Sequence, residues 1–236
     1  MPTPATCEIV RLGTMDYQRA WDLQGELVQA VHDGDRPNTL LLLEHPHVYT
    51  KGRLSKPEQL LLTPAEMDQK GISLVDTDRG GLVTYHGPGQ LVVYPVVNLR
   101  DWGGPLQYVR TLEQIIIKVL ADLGIEAGLV EGLTGVWVGD AKIAAIGVKI
   151  SRGVAYHGFA INVNTDLSYF DHIIPCGIDD RAVTSMAHVL KEAAEMAMVE
   201  YSVAYVFGQA MGFKMVEADA STVLPAVSSD ENTARY

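Results

Sequence analysis

Cys176 stands between proline and glycine, in the run Ile174-Pro175-Cys176-Gly177-Ile178, which reads as a turn. Structural cysteines more often sit inside a strand or helix, so a turn thiol is a candidate nucleophile. The segment Arg79-Gly80-Gly81-Leu82-Val83-Thr84-Tyr85-His86-Gly87-Pro88-Gly89-Gln90 carries four glycines. Bare backbone of that kind lets a ligand approach closely and offers it N–H groups. Lys142-Ile143-Ala144-Ala145-Ile146-Gly147 reads as a strand of small residues that could wall a narrow apolar slot. Its lysine becomes chemical only beside a partner, since a lysine at a strand end is usually a solvated charge. Tyr156-His157-Gly158-Phe159-Ala160-Ile161-Asn162 adds a histidine, which together with His86 offers Cys176 a base. His45 and His47 lack a third ligand at a supporting spacing, so no metal site is expected. Neither a Walker-type phosphate loop nor a strand–GxGxxG–helix fingerprint occurs.

These segments must be placed by the elements around them. Strands are expected at Glu8–Leu12, Thr39–Leu43, Val48–Thr50, Ile72–Thr77, Leu82–Tyr85 and Leu91–Leu99, and again at Gly135–Val138, Lys142–Ile150 and Val154–Asn162. A helix is expected over Tyr17–Val31, where Tyr17, Ala20, Trp21, Leu27, Val28 and Val31 share a face, and another over Pro105–Leu123, closed by Gly124. Thr63-Pro64-Ala65-Glu66 has capping-box spacing with proline at the first helical position. Ala182–Gly212 reads mainly as helix, and the Ala, Ser and acidic composition beyond Val216 reads as a frayed tail. Helices and strands mix without steady βα alternation, which favours an α+β domain with a mixed or antiparallel sheet.

The 236 residues suffice for a substantial core. A formal net charge of -11 argues against nucleic-acid binding, which needs clustered Lys and Arg. No apolar run approaches the ~20 residues of a membrane span, and Met1–Gly13 lacks the basic-then-apolar order of a secretory signal. Two distant cysteines make no disulfide framework, a reducing cytoplasm is the expected compartment, and Cys7 is expected to be packing.

In order and spacing, Arg79–Gln90 with its His-Gly-Pro-Gly-Gln, then Lys142–Gly147, His157–Asn162 and Pro175-Cys176-Gly177-Ile178, closely resemble the octanoyltransferase family, also called lipoate-protein ligase B. The resemblance runs from about Ile9 to the C-terminal helices. It departs in a longer polar segment between Arg53 and Gly71 and in the tail after Met215, both expected on the surface. It implies an α+β, biotin/lipoate protein ligase-like fold, a central mixed β-sheet flanked by helices. One catalytic domain would span residues 1–215 and a flexible tail 216–236. It further implies a cytoplasmic monomer without cofactor or metal, whose donor is octanoyl-acyl carrier protein. The acceptors implied are lipoyl domains of 2-oxoacid dehydrogenase complexes and the glycine cleavage H protein. By match of position, Cys176 would carry an acyl-thioester intermediate and Lys142 would lower its pKa. Arg79, Gly80, Gly81, Leu82, Val83, Thr84, Tyr85 and His86 would line the acyl site, with Ala145, Ile146, Gly147, Gly158, Phe159 and Ala160.

Thioester exchange is nearly balanced in energy and amide formation from a thioester is downhill, so this reaction needs no nucleotide. The oxyanion could be held by N–H groups of Gly147, Gly177 or the Arg79–Gly81 turn. Because acyl carrier proteins are acidic, as this chain is, a local basic rim is expected from Arg53, Lys56, Arg79, Lys149 or Arg152. Three rivals remain: an ATP-dependent lipoate or biotin ligase on the same fold, a thioesterase, and a non-catalytic carrier-binding module. The first needs no cysteine nucleophile, so the Pro-Cys-Gly setting argues against it.

Overall fold

The computed structural model describes residues 4–100, 102–174 and 182–224. In chain order these form β1 (Thr6–Thr14), α1 (Tyr17–Asp33), β2 (Asn38–Glu44), β3 (Val48–Lys51), α2 (Pro64–Gln69), β4 (Ser73–Asp76), β5 (Val83–His86), β6 (Gln90–Asn98), α3 (Pro105–Asp122), β7 (Gly128–Val130), β8 (Leu133–Val138), β9 (Ala141–Ser151), β10 (Val154–Asn162), α4 (Met186–Leu190), α5 (Met196–Met211) and β11 (Lys214–Glu217).

The leucine run of β2 shows why the chain layers as it does. Side chains alternate across a strand, so Leu41 and Leu43 pack on one face with Tyr17, Leu23, Leu27 and Val31 of α1. Leu40 and Leu42 pack on the other with Leu112 and Ile116 of α3 and Val203 and Phe207 of α5. A strand apolar on both faces belongs at the centre of a sheet covered twice. Among the described residues the sheet has eight strands in the order β11-β1-β2-β6-β10-β9-β8-β7. Its β11–β1 and β1–β2 pairs are parallel and the rest antiparallel, so it is mixed, with helices on both sides. The expected α+β architecture is therefore the observed one. A second sheet, β4-β3-β5, sits beside it around Tyr49, Met67, Ile72, Val83 and Tyr85.

Local signals set the ends. Asp16 accepts the Arg19 N–H at the start of α1, and Gly34 closes it at φ 83. Thr63 and Glu66 form the expected capping box of α2. The Arg53–Gly71 segment is not all surface, because α2 buries Met67 in the small sheet's core. Ala182–Gly212 is less helical than expected: Ala182 and Thr184 are instead bonded to the backbone of Lys142, and α4 and α5 follow. The short strands β7 and β11 are additional to those the sequence predicts. Val216, where the tail was expected to begin, pairs with Glu8, and Val223 packs under α1. Cys7 lies fully buried between sheet and helices, where burial pushes its thiol up to about 12. Among the described residues, no helix is long and apolar enough to cross a membrane.

Candidate active site

A cavity of about 380 Å³ opens between the two sheets, and the segments singled out in the sequence line it. That volume lies within the ~300–1,000 Å³ usual for ligand pockets. Its walls include Leu82, Thr84 and His86 from one segment, Lys142, Ala145 and Gly147 from the second, and His157, Gly158 and Ala160 from the third. Arg79, Gly81, Val83, Ile146 and Phe159 line it too. Gly80 and Tyr85 do not. Gly80 lies behind the wall, donating to the Val148 carbonyl. Alternation along β5 turns Tyr85 into a stack with Tyr169 and His47. Cys176 and Gly177 lie outside the described residues.

Small residues make the slot. Gly147 and Gly158 sit opposite each other across β9 and β10. A Cβ on Gly147 would stand 3.1 Å from the Gly80 oxygen and 3.2 Å from Arg79 Cδ, and one on Gly158 would overlap the Val93 carbonyl. A Cβ on Gly52 would likewise stand 2.7 Å from Arg79 Nη1, so glycine there leaves room for the guanidinium.

Arg79 is 7% exposed. Its guanidinium donates to the carbonyl and hydroxyl of Thr50, at 2.7 and 2.8 Å, and to the Gly80 carbonyl at 3.0 Å. It makes no ion pair with a described carboxylate, and burial lowers its pKa. The described lining holds Arg79 and Lys142 but no Asp or Glu. A buried cation without a carboxylate favours a carbonyl or developing oxyanion beside it.

The glycine-rich segment and β10 are joined by a chain of amides. Gln90 donates to the Tyr85 carbonyl at 3.2 Å and to Asn162 Oδ1 at 2.9 Å, while Asn162 donates to the Thr184 carbonyl at 3.0 Å. Those bonds turn Gln90 Oε1 toward His86, so His86 must donate from Nδ1, at 2.7 Å, and keep Nε2 bare. Burial, then nearby His45, presses His86 down to about 3.

His157 Nε2 meets Asp78 Oδ1 at 2.7 Å. Burial alone would raise Asp78. Hydrogen bonds from Lys149, His157 and Tyr156 outweigh it and hold the carboxyl below its usual value. Burial drives His157 down to about 4 against the pull of Asp78. Both imidazoles are thus neutral at pH 7.

Lys142 lies near the start of β9, its Nζ 4.8 Å from the centre of the Trp137 ring. Its N–H donates to Ala182 O and its carbonyl accepts from Thr184, each at 2.9 Å. His45 uses its two ring nitrogens on the Met15 carbonyl and the Tyr94 hydroxyl, and His47 bonds Tyr85. Sequence reasoning missed Asp78, Tyr94 and Tyr17 as site residues. Tyr17 was legible only as an apolar helix position, and nothing distinguished Asp78 except its place before Arg79.

The family described as lipoyl protein ligase A/B catalytic domain matches residues 16–208. A protein of Solibacter usitatus named octanoyltransferase is 54% identical over 182 residues, 77% of this chain and 82% of its own. One of Corynebacterium glutamicum with the same name is 43% identical over 222 residues, 91% and 85% of the two chains. Among solved structures, a putative lipoate protein ligase from T. acidophilum matches with TM-score 0.74 at 19% identity, over 92% of this chain and 90% of that one. Biotin protein ligase from Aquifex aeolicus, with biotin and ATP, matches with TM-score 0.55 at 17% identity, over 87% and 70%. At such identities the structural likeness is one of fold.

Proposed function

This chain belongs to the octanoyltransferases of the lipoyl protein ligase A/B catalytic family, and we propose that it works through an acyl-thioester on Cys176, with Lys142 moving the protons. The Cys176 thiolate attacks the thioester carbonyl of octanoyl-acyl carrier protein, and the carrier's thiol leaves with a proton. The ε-amine of a lipoyl-domain lysine then attacks the new thioester. The amide forms, Cys176 leaves as thiolate, and the amine's proton passes to Lys142.

The observation that carries this reading is the small-walled cavity with Lys142 on its wall and no described carboxylate in its lining. An acyl chain fits such walls, and the lining cations among the described residues, Arg79 and Lys142, suit a carbonyl gaining negative charge. The chain on the C-terminal side of Cys176 also returns to Lys142, at Ala182 and Thr184. His86 and His157 are poor alternatives as base, because imidazoles held near 3 and 4 are mismatched to proton abstraction at pH 7.

The test is intact mass. Mixed with octanoyl carrier protein alone, the enzyme should gain one C8 acyl group at Cys176 and lose it to a lipoyl domain. Transfer seen only with octanoic acid, ATP and Mg²⁺ would point to a ligase, and discharge without any lipoyl domain to a thioesterase.

The donor's docking surface follows from which cations are at liberty. Of the five expected for the rim, Arg79 is buried, Lys149 is paired with Asp78, and Arg152 is bonded to Gln29. Arg53 and Lys56 are exposed and flank Leu54, which is 67% exposed and lines the cavity. Reversing both, as Arg53→Glu with Lys56→Glu, should raise KM for octanoyl carrier protein about tenfold, the scale of electrostatic steering. A small octanoyl thioester should be unaffected, and equal effects on the two donors would rule this rim out.

A further inference from the structure

His157 lies in the middle of β10 yet in the left-handed region, at φ 54. Non-glycine residues are uncommon there, and although Asn, Asp and His enter most often, one in the middle of a strand is held by its neighbours. Two side chains hold it. Gln24, fully buried in α1, accepts the His157 N–H at 2.8 Å, and Asp78 accepts from ring Nε2 at 2.7 Å. Asp78 is itself fixed by Lys149 at 2.8 Å and Tyr156 at 2.9 Å. The ring, 1% exposed, stacks on Tyr156 and meets the edge of Tyr94.

The effect on the sheet is one-sided. β10 pairs with β9 without interruption through this point. Its ladder with β6 stops at Ala155–Val97 and resumes at Phe159–Val93. Pro95 stands in the gap on β6 and has no N–H to offer. The next residue, Gly158, is turned so that a Cβ would strike the Val93 carbonyl and lie 2.6 Å from Pro95 Cδ. Gly158, Phe159 and Ala160 form one wall of the cavity.

We propose that Gln24 and Asp78 are positioning residues that clamp His157 in this conformation, and that the clamp fixes the Gly158–Ala160 wall and so the acyl-chain length the cavity accepts. The inference rests on the acyl-transfer reading above. A pinned wall separates neighbouring chain lengths, because one methylene in a fitted apolar pocket changes kcat/KM by about 10–200-fold. A wall free to relax toward β6 separates them poorly.

The test compares kcat/KM for hexanoyl, octanoyl, decanoyl and dodecanoyl thioesters of a small thiol, with a lipoyl domain as acceptor. Gln24→Met and Asp78→Asn should each cut the preference for octanoyl over decanoyl by about tenfold, chiefly through KM. Asp78→Glu, which keeps the carboxylate, should recover most of it. Folded Gln24→Met and Asp78→Asn enzymes with the wild-type chain-length profile would overturn the clamp. If either fails to fold, His157→Ala decides instead, since alanine disfavours the left-handed region and has no side chain to reach Asp78. Its profile should flatten, and an unchanged profile would overturn the clamp. Wild-type enzyme that transfers none of these chains would sink the acyl-transfer reading. Normal wild-type transfer with unaltered variants would sink the clamp alone.

Discussion

Cys176→Ala enzyme should transfer octanoyl about 10⁴-fold more slowly or worse, on the scale of losses seen when a covalent nucleophile is deleted. Without the thiol the reaction must run in one step, with the donor thioester and the acceptor amine present together at one site. The other cysteine cannot take over. Cys7 is fully buried, and its thiol is held at about 12, so almost none is thiolate at neutral pH. Intact mass after mixing with octanoyl carrier protein should therefore show no adduct on the variant, while the carrier still binds. Transfer within tenfold of wild type would mean that no intermediate on Cys176 is required.

Lys142→Arg should separate the two half-reactions. Activation of the thiol is the smaller contribution. A cysteine with pKa near 8.5 is about 3% thiolate at pH 7, and lowering it to ~7 gives about a 15-fold gain in thiolate. Nucleophilicity falls with pKa along a slope of ~0.4–0.5, which returns about fivefold and leaves a net gain near threefold. The acceptor amine is the harder problem, because at an ordinary pKa near 10.4 less than ~0.1% is neutral at pH 7. Something must take its proton, and positioned bases contribute about 10²–10⁴-fold. Arginine keeps the cation and cannot act as that base. The variant should acylate Cys176 within about tenfold of wild type yet pass the group to a lipoyl domain about 10²-fold or more slowly. Single-turnover measurement of each step checks this. Unimpaired transfer to the lysine would remove Lys142 from proton handling.

Much of this framework is legible in the sequence, for reasons that differ between elements. β10 begins where the residues say it should, since Ser151-Arg152-Gly153 makes a turn before it, and the long apolar run carries it to Asn162. α1 and α3 announce themselves by periodicity and caps. β7 and β11, at three and four residues, are too short for alternation to register. The sequence places Ala182–Thr184 in a helix because the segment's bonds to Lys142 come from forty residues away and leave no local mark. The same limit applies within the site. Lys142, Arg79 and His86 could be singled out by type and neighbours, but Gln24 is only a polar residue on a helix's apolar face until β10 is laid against it. The left-handed turn at His157 is likewise invisible, because histidine does not advertise it as glycine would.

The amide chain from His86 through Gln90 and Asn162 to Thr184 binds together stretches of sequence that lie up to about a hundred positions apart. Each donor there has one acceptor facing it, and each reversal leaves a polar atom stranded away from water. Substitutions at these residues should therefore couple rather than add, the effect of one depending on which neighbour is already changed. A chimera that borrows the glycine-rich loop of a distant relative would inherit half of a conversation, and would need the matching half of β10 to be heard.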